Sequence, residues 1–128
     1  MRVSQADSPV MFARADRVRY NEVDMHGGVN NPIYLVWTQD ARLDFLRSRG
    51  VDPNIYLPVV MEAHIVYKNF LTADDEYRID LRVTREKLNH QFLADIVNLK
   101  TGKTAAIVDQ RIVFFKDKKP SRDNILSL

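Results

Sequence analysis

Asp24 is the acid set closest to the glycines of a stretch whose residue types could do chemistry together, RYNEVDMHGGVNNPIYLVW at residues 19–37. Gly27 and Gly28 follow it, so the backbone can turn tightly there and come close to another group. Asn30, Asn31 and Pro32 then open the longest helical pattern in the chain. A short polar side chain at Asn30 or Asn31 can cap the unpaired first-turn N–H groups, and at Pro32 a missing N–H costs nothing. An acid beside the positive end of a helix suits work on an ester or thioester carbonyl. A helix-start amide would hold the oxygen while Asp24 attacked the carbon or deprotonated a water.

Other candidates surround this core. His26 offers a second base or a ligand donor, or is simply an exposed loop histidine. Glu62 stands between Met61 and Ala63 in an apolar strand, where a carboxylate needs a partner or solvent. It shares a strand face with His64, but no HExxH or comparable spacing accompanies them, so no metal is expected. Trp37 reads as core or as a pocket floor. Arg85, Lys87 and His90 cluster in one basic turn, which is either a solvated charge run or a contact for the phosphates of a nucleotide-bearing substrate. No glycine-rich nucleotide motif is present, and no cofactor is called for.

Composition narrows the classes. The chain has 128 residues, 45% of them apolar and 28% charged, which fits one globular domain with a substantial core. It has no cysteine, which excludes disulfides, thiol catalysis and thiolate metal sites and fits a reducing, cytoplasmic setting. The net charge of +2 is dispersed, so no nucleic-acid partner is expected. No long uncharged apolar run suggests a membrane span or a signal-peptide core.

The elements that must position Asp24 follow from patterning. Residues 1–9 are polar and read as flexible, 10–116 as the folded domain, and 117–128 as a polar, frayed tail. A strand is expected over Val10–Tyr20, with Phe12, Val18 and Tyr20 sharing a face with Arg14 and Asp16. A helix is expected over 32–49, with Tyr34, Trp37, Ala41 and Phe45 on its packed face and Gly50 as its C-terminal cap. Four further strands are expected over 59–68, 76–84, 91–99 and 103–115, with a charged turn over 85–90. The short links between them favour antiparallel pairing. One helix against one curved antiparallel sheet is an α+β architecture. Its outer face must be polar or covered, and Ile107, Val113 and Phe115 point towards an oligomer.

The run from Val18 to Gly50 resembles the opening of the hotdog-fold acyl-CoA thioesterases of the 4-hydroxybenzoyl-CoA thioesterase type. Their recurrent form is matched by Arg19, Tyr20, Glu22 and Asp24, then Gly27, Val29, Asn30, Asn31, Tyr34, Trp37, Ala41 and Arg42. The resemblance implies a five-stranded antiparallel sheet wrapped around one long central helix. It also implies dimers joined sheet edge to sheet edge, pairing further into tetramers, with active sites at the dimer interface. Asp24 matches the family's catalytic acid, and Asn31 the residue whose backbone N–H polarises the thioester oxygen. His26, Gly28, Val29, Asn30, Tyr34, Trp37 and Glu62 fall to substrate-binding or supporting roles. His26 has no fixed counterpart, since plant-type acyl-carrier thioesterases place their histidine where Gly28 stands. The Asn30–Asn31 pair looks closer to acyl-carrier and long-chain enzymes than to the aromatic-acyl branch. Arg85, Lys87 and His90 fall where some relatives contact the phosphates of coenzyme A.

The implied activity is hydrolysis of an acyl thioester carried by coenzyme A or by acyl carrier protein, without metal or redox cofactor. Two rivals stand beside it. A hotdog dehydratase or isomerase would need a histidine–acid pair, for which only His26 or His64 with Glu62 offer themselves. A non-catalytic acyl-CoA-binding protein would have no use for Asp24.

Overall fold

The computed structural model describes residues 8–128. Of the segment expected to be flexible, all but Ser8 and Pro9 lies outside the described residues. The elements are β1 (Phe12–Arg17), α1 (Asn31–Ser48), β2 (Leu57–Tyr67), β3 (Glu76–Glu86), β4 (Asn89–Asn98), β5 (Thr104–Lys116) and the short β6 (Lys119–Pro120). The strands form one antiparallel sheet in the order β1-β3-β4-β5-β2, and β6 pairs with the end of β5. This is the expected α+β arrangement, one long helix packed against a single antiparallel sheet.

α1 buries Tyr34, Trp37, Thr38, Ala41, Arg42, Phe45 and Leu46, a stripe repeating every three and four residues. Phe45 meets Phe12 of β1 and Phe92 of β4, with ring centroids 5.8 Å and 6.4 Å apart. The helix ends as Gly50 suggests. At φ +73° this glycine lets its own N–H reach the Arg47 carbonyl and the Val51 N–H reach that of Leu46. At the other end Asn30 occupies the cap position, but its side chain makes no capping bond. The expected side-chain cap is thus absent there, and the Asn30 carbonyl alone accepts, from the Ile33 N–H at 2.9 Å.

Alternation sets the two faces of the sheet. Tyr77, Ile79, Leu81 and Val83 of β3 and Phe92, Ala94 and Ile96 of β4 are buried against α1. On β1 the helix-facing positions include Arg14, whose guanidinium meets Asp44 of α1 at 2.8 Å. Arg42 is the buried exception on the helix, 4% exposed and donating to Gln110 at 2.8 Å. Burial pulls its pKa down to about 10, which still leaves it charged at neutral pH. The opposite face is polar across the centre of the sheet, where Arg78 pairs with Asp80, Arg82 with Asp95, and Arg111 with Asn89.

Two expectations about the far end of the sheet need correction. The charged turn expected over 85–90 shrinks, because β3 runs to Glu86 and β4 starts at Asn89. A two-residue turn suffices because Lys87 takes a left-handed φ of +57°. The C-terminal tail does not fray either. It turns back through β6, and Leu126 is buried in the core at 3% exposure.

Candidate active site

The Asp24 loop is fastened to the helix by an acid two residues earlier. The Glu22 carboxylate accepts the Arg19 N–H with one oxygen and the Trp37 indole N–H with the other, both at 2.8 Å. The Glu22 carbonyl accepts the Asn30 N–H at 2.9 Å. Trp37 is itself held flat against Tyr77 of β3, with centroids 4.1 Å apart and rings inclined by 17°. Glu22 therefore ties the entry to the loop, the helix start and the sheet into one unit.

From there the chain closes a tight hairpin. The Asp24 N–H donates to the Gly28 carbonyl, the Gly27 N–H donates to the Asp24 carbonyl, and Val23 bridges Val29. Gly27 adopts φ +87°, where a side chain would be strained. Asp24 Oδ1 accepts the His26 N–H at 2.8 Å, which fixes the carboxylate's orientation by an Asx turn. The hairpin's far arm is fixed by the Val29 N–H to the Leu71 carbonyl at 2.9 Å and by a bridge from Gly28 to Thr72. Two residues of extended chain span at most about 7 Å, so Asp24 cannot stray far from Glu22 and the helix start bonded to it.

Beside this unit a cleft of about 230 Å³ opens between the helix start and the end of β2. Asn31, Tyr34, Tyr67 and Phe70 form much of its wall, with Val29, Lys68 and Asn69 completing it. The Asn31 N–H belongs to the first helical turn, where no intrahelical acceptor exists, so it is available to a ligand oxygen. Tyr34 and Tyr67 meet edge to face at 5.6 Å, and the Tyr67 hydroxyl points at the Asn31 carbonyl at 3.5 Å.

The structure thus brings Asp24, His26, Gly28, Val29, Asn30, Asn31, Tyr34 and Trp37 into one neighbourhood. Trp37 serves it from inside the core, at 4% exposure, rather than as a pocket floor. Glu62 is not brought in by its own chain. It is exposed on the outer face of β2 in register with Arg111, five residues and roughly 17 Å along the strand from Tyr67.

The basic turn is also elsewhere. Tyr77, beneath Trp37, and Arg85 are eight residues apart on β3, roughly 26 Å. Arg85 donates to the Arg122 carbonyl at 2.7 Å, and Lys87 is exposed in the hairpin. His90 is removed from the expected phosphate contacts. It is 2% exposed, lies on the helix-facing side of β4 and meets the Phe114 ring edge to face at 4.8 Å. Alternation gives the reason, since His90 shares parity with Phe92, Ala94 and Ile96.

Glu22 and residues 68–70 are what sequence reasoning passed over as site-forming, whereas the strand ending at Tyr67 was expected to contribute to a pocket floor. Glu22 stood in plain view in the motif, two residues before Asp24. Residues from 69 onward read as a polar connection, and nothing in their order shows that they wall a cleft. Glu22→Ala should leave the buried indole N–H without an acceptor and release the loop, costing about 2 kcal/mol of stability. Urea denaturation reads that loss, and Trp37, the one tryptophan of the chain, reports it by fluorescence. An unchanged midpoint with unchanged emission would dismiss Glu22 as the anchor.

Among the described residues no helix is long and apolar enough to cross a membrane, and no three His, Asp or Glu side chains gather as a metal cluster would. Comparison with known proteins places this geometry in a family. A search of curated proteins finds no match. Among solved structures, a thioesterase superfamily protein from Jannaschia sp. CCS1 is 25% identical, with a TM-score of 0.77 over 90% of this chain and 77% of that one. A DHNA-CoA thioesterase from Staphylococcus aureus is 21% identical, with a TM-score of 0.76 over 87% of this chain and 79% of its own. A thioesterase from Thermus thermophilus, complexed with coenzyme A and Zn, is 18% identical, with a TM-score of 0.78 over 88% of this chain and 85% of its own. The model of the thioesterase-like superfamily matches residues 18–125, spanning the Asp24 hairpin, the helix and most of the sheet, and the chain belongs to that superfamily.

Proposed function

We propose that this protein hydrolyses acyl thioesters of coenzyme A to a free carboxylic acid and a thiol. One observation carries the reading: an exposed carboxylate, oriented by its own turn, is tied to a helix whose open first-turn N–H borders an aromatic cleft. In the proposed mechanism the Asn31 N–H donates to the thioester oxygen and stabilises the negative charge that grows there. Asp24 either takes a proton from an attacking water or adds to the carbonyl carbon, giving an anhydride that water then opens. Either route breaks the C–S bond and releases the thiol.

The working unit in this reading is an oligomer. β2 lies at an edge of the sheet and exposes Leu57, Val59, Val60, Met61 and Val66, so it invites a second β2 alongside it. Such dimers would pair again into a tetramer. Pairing is also the means by which Glu62, or Arg85 and Lys87 of a second copy, would approach the cleft. Acyl carrier protein as an alternative carrier, a role in fatty acid metabolism and a cytoplasmic setting belong to the same proposal.

The test is thiol release from a panel of acyl-CoA and acyl-carrier thioesters, followed with a thiol reagent. Turnover of at least one member supports the reading. Altered acyl groups without thiol release would replace it with a dehydratase or isomerase, and binding without either reaction with an acyl-CoA-binding protein.

A further inference from the structure

Phe70 combines three properties that structural packing alone does not explain. Its ring is 83% exposed, although it is among the largest apolar side chains of the molecule. It nevertheless rests on the Asp24 hairpin, because a Cβ built on Gly28 would lie 2.8 Å from its Cδ1 and 3.3 Å from its Cε1. Gly28 does not have the left-handed backbone that demands a glycine, unlike Gly27. Its missing side chain therefore serves to make room for the Phe70 ring. The same ring also walls the cleft beside Asn31, Tyr34 and Tyr67. One exposed aromatic side chain thus touches the acid's hairpin and borders the space above the helix-start N–H.

We propose that Phe70 is the specificity-determining wall of this site and limits the bulk accepted next to the reacting carbonyl. The inference rests on the thioester reading above. An acyl group whose oxygen reaches the Asn31 N–H enters the cleft that Tyr67 and the Phe70 ring help to wall. A linear chain slides past the ring and gains contact with its face. A group branched beside the carbonyl meets the ring edge, and to make room the ring must leave its contact with Gly28 and turn out into solvent. Pockets that exclude extra carbon atoms in this way discriminate by about 10- to 200-fold.

Phe70→Ala, compared with the native protein on linear and α-branched acyl-CoA substrates, tests this. The position is exposed, so truncation leaves no cavity in the core, and a thermal melt checks that both proteins fold. The ratio of kcat/KM for branched over linear substrates should rise about tenfold or more, chiefly through KM. Gly28→Ala, which drives a methyl into the ring and the ring into the cleft, should lower the same ratio. Equal changes for both substrate classes, or none, would overturn the proposal. Calorimetry with non-hydrolysable linear and branched acyl-CoA thioethers separates this from failure of the hydrolase reading. A selectivity shift in binding without turnover by either protein would keep the wall and discard the hydrolase, whereas no thioether binding to either protein would overturn the wall as well.

Discussion

Asp24→Asn is expected to lower kcat for thioester hydrolysis by about 10²- to 10⁴-fold while leaving affinity for the acyl-CoA nearly unchanged. The variant is a sharp one because asparagine keeps what the fold uses. Its side-chain oxygen can still accept the His26 N–H, so the Asx turn survives. The backbone bonds that close the hairpin, from Asp24 to Gly28 and from Gly27 to Asp24, do not involve the side chain. What asparagine lacks is a lone pair basic enough to take a proton and an oxyanion able to form an anhydride. A fall in kcat with KM held would therefore isolate the chemical step. A rate within about threefold of the native one would remove Asp24 from the reaction and, with it, the proposed mechanism. Label found in the Asp24 carboxyl after a single turnover in ¹⁸O-labelled water would establish the anhydride route, since only an anhydride opened at the Asp24 carbonyl carbon can leave it there.

The fold was largely legible because periodicity and punctuation agree along most of the chain. The helix stripe from Tyr34 to Leu46 and the glycine stop at Gly50 are both local signals, and both are realised. The extent of the last four strands was read less well at the basic turn, since charge there masked alternation that continues to Glu86 and resumes at Asn89. His90 is the clearest case. Its polar character suggested solvent, while its parity with Phe92 put it in the core, and in a sheet the parity prevails. Lys116, Lys118 and Lys119 similarly disguised a tail that returns to bury Leu126.

The candidate site was legible where its parts are neighbours in sequence and opaque where they are not. Asp24, Gly27, Gly28, Asn30 and Asn31 lie within eight residues, and the hairpin and helix start assemble them with few long-range contacts. The partners that hold and wall the site come from further away. The indole that Glu22 grips is fifteen residues on, and Phe70 reaches Gly28 only because β2 returns the chain to the helix start. Such pairings depend on strand order, which no local pattern encodes.

The second large effect is one of stability and concerns His90. The residue is 2% exposed, and among the described residues neither ring nitrogen makes a well-formed hydrogen bond. Burial, followed by the nearby Arg85 charge, pulls its pKa down to about 4 from the usual 6.5, with the Leu88 backbone acting weakly in the other direction. The unfolded chain therefore takes up a proton on this residue near pH 6.5, while the folded protein resists doing so until about pH 4. Between those values the unfolded state binds more protons, so stability falls as the pH is lowered and is greatest above 6.5. At about 1.4 kcal/mol per pH unit, the whole interval amounts to roughly 3 kcal/mol. His90→Leu, similar in volume and without nitrogens to leave unpaired, should stay within about 1.5 kcal/mol of the native protein at about pH 7.5. It should become the more stable of the two by about pH 4.5. Urea midpoints taken from about pH 4 to about pH 8 for both proteins test this, because the carboxylates common to the two cancel in the difference. Parallel curves would mean that the histidine is paired or hydrated in solution and that its burial carries no proton penalty.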